Sequence, residues 1–232
     1  MADPQELRIP EIPVSKDTTE QEAVYSRLRQ AIMVGAIEPG THLTMRGLAA
    51  AMNLSPTPIR EALRRLNSEH AIELLPNRRM TVPVMTLGRF EELVSLRIAL
   101  EVHAAARSVR YISDVVIDEM QQIDLRMDRA LVNDDLDALT ILNHQFHRKL
   151  YAANPYQVAI PVIESVWLQL GPFQRQVVKG INEFYKVDRH REIVAALQSR
   201  DVAALMTATE NDIKEGVVES GKRLLTLMSE PA

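Results

Sequence analysis

Two short amphipathic patterns, joined by only a few residues, constrain this chain more than anything else in it. Thr44 is a polar cap ahead of residues 45–52, where Leu48 and Met52 lie four apart on one face, and Asn53 suits the left-handed position that ends a helix. Ser55, Pro56 and Pro58 then open a second helix over 55–66, whose Ile59, Ala62, Leu63 and Leu66 form one buried stripe. Two helices so closely joined have helix-turn-helix spacing. The opposite face of the second shows Thr57, Arg60, Arg64 and Arg65. A short helix with arginines and a hydroxyl near its N-terminal end fits a DNA major groove. Most charged helix faces are merely solvated, so the flanking sequence has to decide.

The flanks favour nucleic acid. Between Gly40 and Val82 stand Arg46, Arg60, Arg64, Arg65, Arg78 and Arg79 against Glu61, Glu69 and Glu73, with no lysine. Arginine is the residue suited to bidentate contacts with guanine or phosphate. The formal net charge of −4 makes the rest of the chain acidic, so the basic character is local. Upstream, Thr19 with Glu22 three residues on predicts a capping box, followed by an inward face of Val24, Leu28, Ile32 and Met33. Gly35 and then Pro39-Gly40 end that helix. Residues 42–44 predict a short strand. Residues 72–75 and 80–84 flank Pro76, Asn77, Arg78 and Arg79, which predicts a two-strand hairpin with a basic tip, the wing of a winged helix. Pro83 assigns the second strand to an edge. Residues 1–18, with prolines and charges but no period, predict a mostly disordered tail, leaving 19–85 as a winged helix-turn-helix domain.

Beyond Met85 only helical patterns follow, so 86–230 reads as an all-α domain, and the fold class is mostly α with an antiparallel bundle behind the head. The first helix runs from 86 to about 111, with Phe90, Leu93, Leu96, Leu100 and Ala104 inward. A second covers 113–131, and residues 133–135 break the chain. A third covers 136–153, up to Asn154-Pro155. A fourth spans 156 to about 170 before Gly171-Pro172 and resumes to 178, its start shifted downstream by Pro161. A fifth covers 187–199 and a sixth 201–228. With no cysteine there is no disulfide, no thiolate nucleophile and no Cys-ligated zinc. No apolar run resembles a signal peptide or a membrane span, which predicts a cytoplasmic protein.

Within the bundle, Asn143 and His147 lie four apart and share an apolar side with Leu139 and Leu150. His190 opens a helix with Ile193, Val194 and Leu197 inward, and Asp212 stands between Ala208 and Ile213. A lone interior histidine is more often a hydrogen-bonded core residue than a ligand. Two imidazoles with an amide and a carboxylate from three helices nevertheless make a coherent divalent-metal set, although spacing does not show that they converge. His144 falls on another face, His103 has no assigned side, and Trp167 and Phe173 read as packing. Arg97 and Glu101 form an i,i+4 pair, read either as a surface pair or as an interior arginine that meets an anionic ligand. No Gly-rich phosphate loop, Gly-x-Ser-x-Gly elbow or His-Glu-x-x-His occurs, so no enzyme signature is present.

The segments Pro39 to Ala49, Ser55 to Leu66 and Leu75 to Arg79 closely resemble the GntR family of bacterial transcription regulators. The remainder, through Arg97 and Glu101, residues 143–147 and 190–197, resembles the effector (FCD) domain of its FadR-like subfamily. This resemblance implies DNA contacts from Arg46, from Ser55, Thr57 and Arg60 on the recognition helix, and from Asn77 and Arg78 on the wing; Arg64 and Arg65, a turn later on the same helix, read as meeting phosphates or Glu61 and Glu69. Arg79 stands where the family usually has glycine, which implies a phosphate contact in place of minor-groove entry. The resemblance also implies a homodimer on a pseudo-palindromic double-stranded operator and a small carboxylate effector held by a metal or by Arg97 and Glu101. For the metal it implies Asn143, His147 and His190, with Asp212 where a third histidine is expected. A carboxylate ligates zinc, nickel or manganese, so two expectations stand, a site of harder preference or a metal-free pocket. Two readings outside the regulator also stay open: a metal-dependent enzyme, and a DNA-binding protein with a purely structural bundle.

Overall fold

Thr19 opens the first helix with both halves of the expected capping box, its side chain accepting from the Glu22 backbone and Glu22 reaching back to the Thr19 backbone. In this computed structural model, which describes residues 9–12, 15, 17–76, 79–179 and 189–229, the chain divides into two units. One runs to Met85 and takes in Trp167–Arg175; the other comprises Thr86–Val166 and the chain from Gln176 onward.

The N-terminal unit is α1 (Glu20–Met33), β1 (His42–Leu43), α2 (Met45–Met52), α3 (Pro56–Ser68), β2 (Glu73–Leu74) and β3 (Met80–Thr81). Thr44 caps α2 and Asn53 ends it at φ 53°, ψ 48°, the left-handed corner that asparagine tolerates and a β-branched residue would not. Leu28, Ile32, Leu48, Ile59, Leu63 and Leu66 lie in its core, as helical spacing predicts, whereas Met33, also expected inward, is only partly buried. Tyr25 ties α1 to the end of α3 by donating to Glu69 at 2.7 Å, and Arg65 lies over its ring at 3.6 Å.

Three features depart from expectation. The sheet order is β1-β3-β2, so β3 is the central strand and not an edge, with Met80 paired to both Leu43 and Leu74. Pro83 lies past the end of β3, where its missing N–H costs no ladder bond. In the segment expected to be a disordered tail, Ile9 is buried in the core and Arg27 donates to the carbonyls of Ile9 and Pro10.

The second unit consists of α4 (Leu87–Ser108), α5 (Asp114–Val132), α6 (Leu136–Ala152), the outer parts of α7 (Ile160–Lys179), α8 (His190–Gln198), α9 (Val202–Ile213) and α10 (Glu219–Ser229). Thr86, Ser113, Asp135 and Asp201 each cap the helix that follows them. Residues 187 and 188, where the fifth bundle helix was expected to start, lie outside the described residues; the helix begins at His190.

Two helices continue where the sequence suggests a stop or uniformity. α7 passes through Gly171-Pro172 without a break. A Cβ at Gly171 would collide with the Met33 carbonyl, so glycine is there for close approach and not for termination. Between α9 and α10 the helix widens into a π-segment, Lys214–Val218. The inward stripe of α4 also differs: Phe90, Leu93, Val94, Arg97, Glu101, Ala104, Ala105 and Ser108 are buried, whereas Leu96 is 45% exposed. A helix that buries an arginine and a glutamate while leaving a leucine in water is arranged around something other than apolar packing.

Candidate functional site

The four residues proposed for a metal meet. α6 carries Asn143 and His147 on one face, His190 is the first residue of α8, and Asp212 is the penultimate residue of α9. His147 Nε2 is 3.2 Å from one oxygen of Asp212, and His190 Nε2 is 3.8 Å from the other. Each of the three offers a ligand atom, all within 4.8 Å of one another. Ligands bound about 2.0–2.2 Å from one ion stand about 3.0–3.6 Å apart, so the cluster has nearly the dimensions of a coordination sphere. Asn143 donates through Nδ2 to His190 Nε2 at 3.3 Å, and ligation through its oxygen requires the amide turned over.

The electrostatics agree with a cation site. Burial alone would push the Asp212 carboxyl up, but His147, whose Nε2 lies 3.2 Å away, with His190 and Arg97 nearby, holds it down at about 2. Asp212 is therefore a carboxylate at neutral pH. His147 Nε2 is buried and makes no aligned hydrogen bond, despite its short distance to Asp212. An orphaned imidazole nitrogen beside a carboxylate, with a second imidazole and an amide at hand, is a donor set that a divalent ion would satisfy.

Arg97 and Glu101 are not a surface pair. Arg97 is 4% exposed and Glu101 fully buried, with Arg97 Nε donating to Glu101 at 2.6 Å. The pair is joined to the cluster by Tyr151, whose hydroxyl donates to Glu101 at 2.7 Å and lies 3.3 Å from His147 Nδ1. Burial, with the charge of Glu101 beside it, raises the Tyr151 pKa well above its ordinary value, so the phenol keeps its proton. On the far side, His190 Nδ1 is 3.2 Å from Asp124 of α5, itself buried.

Sequence reasoning missed Asp124 and Tyr151. Tyr151 continues the four-residue spacing of Asn143 and His147 along α6. Asp124 is an acid in the otherwise apolar inward stripe of Ile117, Met120, Ile123 and Met127. His144 is buried on α6 apart from the cluster, His103 is exposed, and Trp167 and Phe173 are packed.

In the N-terminal unit Arg46, Ser55, Thr57, Arg60 and Arg64 are all exposed, and Ser55 spends no side-chain bond on capping α3. Arg64 is 83% exposed, with Glu61 4.0 Å away, whereas Arg65 is held by Glu69 at 3.2 Å. Arg79 is exposed beside the hairpin, where the Leu75 N–H donates to its carbonyl. Asn77 and Arg78 lie outside the described residues.

A winged helix-turn-helix followed by a helical domain with a buried His/Asp cluster defines a class, the one-component DNA-binding regulators. The chain belongs to the GntR family of bacterial regulatory proteins: residues 20–82 match the gntR family and residues 92–215 the FCD domain. It is similar to the HTH-type transcriptional regulator McbR of Escherichia coli, 27% identical over 181 residues that cover 77% of this chain and 82% of that protein. It is also similar to the gluconate operon transcriptional repressor of Bacillus subtilis, 25% identical over 227 residues covering 93% and 90%. The solved structure of E. coli McbR/YncC shares the fold, with a TM-score of 0.81 at 23% identity over 89% of this chain and 99% of that one. The protein is thus a DNA-binding transcriptional regulator with an FCD effector domain. No helix among the described residues is long and apolar enough to cross a membrane.

Proposed function

We propose that this regulator acts in the cytoplasm as a homodimeric repressor whose grip on a pseudo-palindromic operator is set by a small organic acid bound in the FCD domain. Two-fold symmetry of protein and operator would match half-sites to heads. Arg46, Ser55, Thr57 and Arg60 would contact DNA, with Arg64 and Arg79 on phosphates and Asn77 and Arg78 in the wing. Asn143, His147, His190 and Asp212 would hold a divalent ion, zinc, nickel or manganese, whose open positions would supply Lewis acidity toward a carboxylate. Asp212 in place of a nitrogen ligand favours the harder ions. Arg97, held through Nε by Glu101, would offer its remaining donors to the effector.

The orphaned His147 Nε2 beside Asp212 carries the ligand half of this reading. Metal analysis of the purified protein, followed by a thermal-shift screen of small carboxylates with and without the metal, tests it. A ligand specific to the native state raises the melting temperature. A bundle that takes neither metal nor any carboxylate would be purely structural. Incubation of the same acids with the metal-loaded protein is expected to show saturable binding and no product, and turnover would favour an enzyme.

A further inference from the structure

Asp124 and Tyr151 would not touch a bound ion, yet each faces the Nδ1 of a histidine whose Nε2 would. The Asp124 oxygen 3.2 Å from His190 Nδ1 has only lone pairs to offer, so the proton between them belongs to Nδ1. The case of His147 takes one more step. The single proton of Tyr151 goes to Glu101, which as a carboxylate cannot donate. Toward His147, 3.3 Å away, the phenol oxygen is therefore an acceptor, and Nδ1 again carries the proton. That turns both Nε2 atoms toward the two oxygens of Asp212, 3.2 and 3.8 Å away, as the atoms that exchange any proton they carry for an ion.

We infer that Asp124 and Tyr151 are positioning residues that keep a proton on Nδ1 of His190 and His147, so that an arriving ion meets Nε2 of both rings. The two arms are unequal. His190 is backed by a full negative charge, which strengthens its donor nitrogen. His147 is backed by a neutral phenol whose own acceptor, Glu101, is shared with Arg97. The inference rests on the metal-site reading above and adds to it the two residues that make the site selective for a ligated state.

The test strips the full-length chain with a chelator and titrates Zn²⁺ against a chromophoric competitor. Wild type is compared with Tyr151→Phe, Asp124→Asn and Asp124→Ala, each checked by circular dichroism and by its metal-free melting temperature. Tyr151→Phe and Asp124→Ala are expected to weaken Zn²⁺ binding about 10–100-fold. Asp124→Asn keeps an acceptor and should fall between wild type and Asp124→Ala. A merely structural role would lower the metal-free melting temperature and leave the Zn²⁺ affinity unchanged. Variants that hold Zn²⁺ within twofold of wild type would overturn the positioning role while leaving the metal site intact. A wild-type chain that takes up no ion would overturn both.

Discussion

Asp212 is the residue on which the site's pH behaviour turns. Its carboxyl is held at about 2 when folded, below the ordinary value of 3.8. A depressed carboxyl contributes stability that is present above the unfolded pKa and lost as pH falls through the folded one. In metal-free protein this contribution, at most about 2.5 kcal/mol, should fade between about pH 4 and pH 2. Acid-unfolding curves of wild type and Asp212→Asn should converge across that window; curves that stay parallel would show the carboxylate is not held as described. Arg97 makes the complementary case. Arg97→Met strands Glu101 in the interior without its cation, which should cost about 3–5 kcal/mol in urea unfolding. Adding Glu101→Leu to that variant should recover much of the loss, because a missing pair is cheaper than half of one.

At the scale of elements, the departures from the expected helices have local physical causes. Proline after glycine reads as a stop in α7, but the glycine serves the contact with Met33 and the helix continues. Gly171→Ala should therefore destabilise by about 1–3 kcal/mol, as overpacking does, and not stabilise as an alanine in an open helix would; thermal melts decide the sign. The π-segment begins two residues after Asp212, and its Glu215 accepts from Arg189, the neighbour of His190, at 2.8 Å. The same two stretches of chain are thus joined twice, once through the cluster and once beside it. Two capping residues, by contrast, were legible directly. Thr19 and Thr44 each place an oxygen against the backbone N–H expected of them, because capping is decided within four residues, whereas Ser55, the polar residue ahead of α3, makes no side-chain capping bond.

For the whole molecule, the reading head and the site answer to different measurements. Arg60→Ala should cost about 1–3 kcal/mol of operator binding and relax specificity at one base pair. Arg64→Ala should weaken binding to all sequences alike and reduce the salt slope by about 1, as loss of a phosphate contact does. Equal behaviour of the two variants in salt-dependent binding assays would remove the distinction between them. The helices of the N-terminal unit were readable almost residue by residue, since caps and one apolar stripe are short-range features, whereas the central place of β3 and the burial of Ile9 were not. Asn143, His147, His190 and Asp212 could be nominated from the chain but not brought together. Their convergence depends on how α6, α8 and α9 pack, and distances between helices are absent from spacing along any one of them. The choice of Arg97 and Glu101 over Leu96 and Leu100 as the buried face of α4 was also a tertiary decision. Both faces have helical period, and only the presence of Tyr151, His147 and Asp212 on the facing helices makes burying the charged one favourable. The sequence by itself determined what each segment becomes, because hydrogen bonds and caps close locally. Only the tertiary structure decided which side chains share one buried point, because burial of charge is favourable only where partners from distant helices supply the balance.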